Sequence, residues 1–157
     1  MPNELYDRDV VAWSEHQAAL LRRLARGERV NDIDWDHVVE EIEDVGNSQL
    51  NAVHCYLRQM LAQLLKLSGW PGSDACHHWR NEVATFQVDA IARFVPSMRQ
   101  RIDLPRAYEL AQRQLAPMRR GDPTGLPAPS TCPVTLDLLL TASVEDLEAA
   151  FTAALTG

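Results

Sequence analysis

Long apolar runs are missing from this 157-residue chain, so it lacks the roughly 20-residue segment that a membrane-spanning helix needs. The opening Met1-Pro2-Asn3-Glu4-Leu5-Tyr6-Asp7 has no basic stretch followed by an apolar one, so a secretory signal is not expected. Cysteine is scarce: Cys55, Cys76 and Cys132 form an odd set with no C-x-x-C pair, and reduced thiols in a cytoplasm are the simplest reading. A glycine-rich phosphate loop is absent, as is the strand–turn–helix signature of a serine nucleophile. Lysine occurs once, at Lys66, and every other base is arginine, the better residue for forked pairing with carboxylates. No stretch alternates apolar and polar residues as a half-buried strand would.

What is there is helix. Asp7 or Asp9 can cap a first helix reaching about Arg26, with Val10, Trp13, Leu20, Leu21 and Leu24 on one face and Gly27 as a stop. Asp34 or Asp36 opens a second, in which Val38, Ile42, Val45, Val53, Tyr56, Leu57, Met60, Leu64 and Leu67 recur at steps of three or four. Unbroken to Leu67 it would extend about 48 Å, with Gly46 the expected kink point. Gly69-Trp70-Pro71-Gly72-Ser73 is turn chemistry, and Ser73 or Asp74 can cap a third helix with a stripe of Trp79, Val83, Phe86, Ala90 and Phe94. Asp103 can cap a fourth, carrying Leu104, Tyr108, Ala111 and Leu115 and closed by Pro117. Gly121 to Pro133 holds four prolines and two glycines and is expected to be a loop. Two short helices follow, one from about Pro133 and one after Ser143, where Ser143 and Asp146 approximate a capping box. The expected fold is all-α: about four main helices in a bundle over residues 1–120, with 121–157 a proline-rich loop and short helices packing on the same single domain. Trp13, Ile42, Tyr56, Met60, Trp79, Phe86 and Phe94 are its expected core.

Charge is unevenly laid out. Of the net −7, residues 1–50 contribute 12 acids against 5 bases, residues 51–120 contribute 5 acids against 10 bases, and residues 121–157 add 5 acids and no base. An acidic first third beside a basic middle favours pairing within the chain or across a dimer. Nucleic-acid binding would rest only on the arginines of residues 80–120 and is disfavoured by the overall negative charge.

The densest chemistry lies in Trp35-Asp36-His37-Val38-Val39-Glu40-Glu41-Ile42-Glu43-Asp44-Val45-Gly46. On a helical wheel His37, Glu41 and Asp44 fall within about 60° of one another, with Glu40 turned further toward solvent. Such carboxylates could hold a divalent cation through several oxygens. Equally, they sit in the first turns of a helix, where acids suit the macrodipole and can pair with arginine. The Glu40-Glu41-x-x-Asp44 spacing is similar to the Glu-Glu-x-x-Glu metal block of the helical nucleotide pyrophosphohydrolases. That family needs a second Glu-x-x-Asp on a following helix, and the third segment offers only Glu82 and Asp89, seven apart. His54-Cys55 and Cys76-His77-His78 contain zinc-ligand types, but neighbours on a helix point about 100° apart and rarely ligate together. Trp13, Trp35, Trp70 and Trp79 read as core or helix-junction anchors.

A broader resemblance joins these pieces. Leu5-Tyr6-Asp7-Arg8-Asp9, Trp13, Asp34-Trp35-Asp36-His37, Glu40-Glu41-Ile42-Glu43-Asp44-Val45-Gly46, Leu64-Leu65-Lys66, Trp79-Arg80, Pro96-Ser97 and Thr131-Cys132-Pro133-Val134-Thr135-Leu136 resemble the bacterial DUF29 family over nearly the whole chain. The resemblance implies a bacterial helical bundle and no particular activity. The chain departs from the family's usual His at Gln63, from its usual Trp at Leu67, and from its acidic-aromatic ending, replaced here by Leu138-Leu139-Leu140 and an alanine-rich helix. The expected function is protein–protein contact, with self-association, in the cytoplasm, without cofactor or metal. The alternative is a metal-dependent hydrolase of phosphorylated small molecules or nucleotides using Glu41 and Asp44 with His37 nearby.

Overall fold

In the computed structural model, which describes residues 2–156, several helix boundaries have a local cause, though the helix from Cys76 starts behind Ala75 with no side-chain cap from Ser73 or Asp74. The short α1 (Pro2–Arg8) was not foreseen; Asp9 ends it and caps α2 (Val10–Ala25), its carboxylate accepting the Ala12 N–H at 3.0 Å. Gly27 closes α2 with φ at +87°, left-handed backbone that favours glycine, and the Glu28 N–H turns back to the Arg23 carbonyl. α3 (Trp35–Gly69) runs 35 residues without a break at Gly46. α4 (Cys76–Arg93) is followed by a 3₁₀ turn at Pro96–Met98.

Asp103 caps α5 (Leu104–Gly121) as expected, yet Pro117 does not close it. It lies in the last turns, where its missing N–H removes one bond and the Asp122 N–H still reaches Met118. The next helix starts not at Pro133 but at α6 (Leu136–Thr141), because the Thr135 hydroxyl accepts the Leu138 N–H. Ser143 caps α7 (Val144–Ala153) through the Asp146 N–H at 3.1 Å. The protein is all-α, with no strand among the described residues and no helix there long and apolar enough to cross a membrane.

Two compact units divide the chain, Met1–Ser48 and Gln49–Gly157, the boundary falling inside α3 just past Gly46. The first has a small interior: apolar Trp13, Leu20 and Val38 with polar Gln17 and Asp34. The second holds a helical core in which Val53, Leu57, Met60, Leu61, Leu64, Val83, Leu139 and Phe151 are fully buried. There α4 ties the C-terminal helices down: the Gln87 amide donates to the Leu139 and Ala142 carbonyls, both at 2.8 Å, and Arg80 forks onto Glu148 at 2.8 and 2.9 Å. Trp70 is gripped by the Arg119 guanidinium, 5.0 Å from the ring, and by Gly125, where any Cβ would come within 2.5 Å of the indole.

The expected core needs one correction. Trp13, Met60 and Trp79 are buried and Tyr56, Phe86 and Phe94 half-buried, but Ile42 is 68% exposed. Trp35 is likewise exposed, unlike the other three tryptophans, and on α2 Val10 and Leu24 face solvent while Gln17 is buried.

Candidate functional site

In the first unit the buried acid is Asp34, one residue ahead of α3. Its Oδ2 takes the Trp13 indole N–H at 3.1 Å and lies 2.7 Å from His37 Nδ1, and its own backbone N–H donates to Gln17 Oε1 at 2.9 Å. Trp13 and Gln17 are four apart on α2, so both face the same point. Tyr6 of α1 stacks on the His37 ring, centroids 3.8 Å apart and planes at 19°, with Trp13 edge-on to it at 4.9 Å. The Tyr6 hydroxyl then donates to Glu41 Oε1 at 2.6 Å.

The electrostatics follow from this geometry. Burial opposes the Asp34 charge, but the His37 ring, the Trp13 indole and the His37 backbone N–H outweigh it and hold the carboxyl below its usual value. His37 is raised, chiefly by its bond to Asp34 against a smaller desolvation cost. Tyr6 is pushed up to about 12, first by donating to Glu41, then by desolvation and by the charges of Glu41, Glu40 and Asp44. The result is a hydrogen-bonded histidine–aspartate pair under an aromatic cover. Tyr6 offers His37 its ring face, while its hydroxyl is engaged by Glu41. The arrangement therefore locks α1 and α2 to the start of α3.

Of the candidate residues, His37 and Glu41 are drawn into one cluster through Tyr6, while Glu40 and Asp44 stand exposed outside it. The partner of Glu41 is a tyrosine hydroxyl rather than the arginine that charge layout suggested, and no ion pair to Glu41 or Asp44 occurs among the described residues. Nor does any group of three or more His, Cys, Asp or Glu among the described residues have the arrangement to hold a metal ion. The Cys76 thiol points to the Trp70 carbonyl at 3.4 Å, His77 and His78 are exposed, and His54 Nε2 accepts the Asp103 N–H at 3.3 Å. The sequence named Asp34 only as a helix opener and Tyr6 only within a family motif, and it missed Gln17; the available signal was a glutamine four residues after a tryptophan on the inner face of α2.

The opposite face of α3 is unusual. Trp35, Val39, Ile42 and Val45 are 54%, 50%, 68% and 66% exposed, while the side bearing His37 and Glu41, with Asp34 just ahead of the helix, turns inward. Eighteen residues on, about five full turns at 3.6 residues per turn, the same helical azimuth carries Val53, Leu57 and Met60, each at 0%. Asp36, Glu40 and Glu43 are exposed beside the open stripe.

No curated protein matches the chain. An alpha-helical protein of unknown function from Rhodospirillum rubrum ATCC 11170, whose crystal structure was determined at 1.45 Å, is similar in fold, with a TM-score of 0.64 and 27% identity over 92% of this chain and 95% of that one. The family described as "Domain of unknown function DUF29" matches residues 5–144, and the chain belongs to it.

Proposed function

We propose that this protein is an interaction module of the bacterial cytoplasm that self-associates through the open face at the start of α3. One observation carries the reading: an apolar helix stripe of Trp35, Val39, Ile42 and Val45 lies uncovered on the same azimuth that forms core further along the helix. Its flank selects the partner surface. Pairing two copies of this stripe with each other would bring Asp36, Glu40 and Glu43 of each together, so the complementary surface is apolar and free of acids or edged with arginine. The chain carries one at the end of α4 and just past it, where Val88, Ile91 and Val95 are 65%, 50% and 46% exposed, and where exposed Arg93 has no carboxylate within ion-pair distance among the described residues. Three free thiols, one exposed, fit a reducing compartment, and the similar structure is bacterial.

No observation favours the hydrolase alternative, since Glu41 is engaged by Tyr6 and Asp44 lies outside the cluster. Sedimentation velocity tests the reading. The wild-type mass should rise with concentration, and Ile42→Asp should stay monomeric with unchanged helicity and melting temperature. An unchanged association in Ile42→Asp would defeat it.

A further inference from the structure

The second unit contains a cleft of about 840 Å3 between α5 and the segment 130–137 that leads into α6. Its floor is apolar: Ile102, Leu104, Tyr108, Cys132, Val134 and Leu136. Its volume lies within the roughly 300–1,000 Å3 typical of small-molecule sites.

The rim decides what kind of molecule suits it. Each charge there already has an internal partner: Arg99 pairs with Asp137, and Glu109 takes Arg106 at 2.8 Å and Arg113 at 2.9 Å. Arg99 is further held over the Phe94 ring, 5.5 Å from its centroid. These pairs are half-exposed and individually weak, but they already neutralise the rim, so it offers a charged ligand no free counter-charge, whereas an uncharged one leaves them intact. The floor is neutral as well. The Tyr108 hydroxyl is committed to the Pro129 carbonyl at 2.6 Å, and burial, its main influence, raises it to about 12. Burial likewise raises the Cys132 thiol, which rests against the Val134 carbonyl at 3.4 Å and stays protonated.

We infer that this cleft is a binding site for an uncharged, largely apolar small molecule, with Cys132 on its wall. The site is independent of the α3 face. Nile red serves as an uncharged probe, and alkylation of Cys132, followed by mass spectrometry with exposed Cys55 as internal control, reports occupancy. Wild-type protein should bind the dye saturably at one site and alkylate at Cys132 several-fold more slowly when loaded, with Cys55 unaffected. Thr131→Trp, a change at an exposed position lining the cleft, should weaken dye binding at least tenfold, and Ile42→Asp should leave it unchanged. Dye binding lost in Ile42→Asp but kept in Thr131→Trp would overturn the inference, as would a bound dye that leaves Cys132 unprotected or tighter binding there by the anionic dye anilinonaphthalene sulfonate. The Cys132 measurement needs no variant, so it decides the matter even if Thr131→Trp fails to fold.

Discussion

Two halves of one helix make opposite use of the same face. In the second unit, Val53, Leu57 and Met60 of α3 are fully sealed; Trp35, Val39 and Ile42, each eighteen residues earlier, are half or more exposed. The first unit instead turns its polar side inward and holds it with a histidine–aspartate pair, an indole N–H and a tyrosine hydroxyl. The lesson is that apolar periodicity marks which face of a helix is fit for burial, while the neighbours present decide whether it is buried. A unit of fewer than 50 residues has too little chain to wrap a second side of α3.

The sharpest contrast is in stability. Leu57→Ala should lower the unfolding free energy by about 2–5 kcal/mol, the range for removing buried leucine atoms, measured by denaturant titration; a loss near zero would mean the second half is open too. Gly125→Ala should cost about 1–3 kcal/mol, because its Cβ would strike the Trp70 ring that anchors the end of α3 in the second unit. A neutral result would remove the 121–126 loop from the supports of that core.

The first unit should show a pH response set by its histidine–aspartate pair. His37 is raised in the folded state, so its contribution is complete below about 6.5, the ordinary histidine value, and is lost as pH rises through the folded value. Asp34 is lowered, so its contribution is present above about 3.9 and is lost as pH falls through its folded value. Amide exchange in α2, corrected for intrinsic rates, should show greatest protection between these limits, and Asp34→Asn should flatten the profile. Protection that instead climbs steadily through pH 8 would contradict the pairing. The smallest effect belongs to Ile42→Ala, expected within about 0.5 kcal/mol of wild type as an exposed change, in dilute protein where association is absent.

Much of this fold was legible in the sequence. Asp103 and Ser143 cap where their spacing to later N–H groups said they would, because capping is local chemistry. Pro117 and Pro133 misled because neither proline fixes a boundary alone: one is tolerated in a last turn, and the other yields to the cap at Thr135. The candidate site was half legible. His37 and Glu41 stood out by density of charge, and Asp34 lies only three residues before His37, but Tyr6, Trp13 and Gln17 come from other segments that only tertiary packing brings to them. Ile42 was placed in the core by a period that cannot show whether a covering helix exists.

The central claim, that the α3 face is open in the lone chain and covered on association, is tested most directly by thiol reactivity of Ile42→Cys. In dilute solution the new thiol should react as readily as exposed Cys55, and at concentrations where mass rises it should slow several-fold while Cys55 does not change. A Leu57→Cys thiol should remain unreactive throughout. A thiol at position 42 that is shielded at every dilution, or equally reactive at every concentration, would contradict the account.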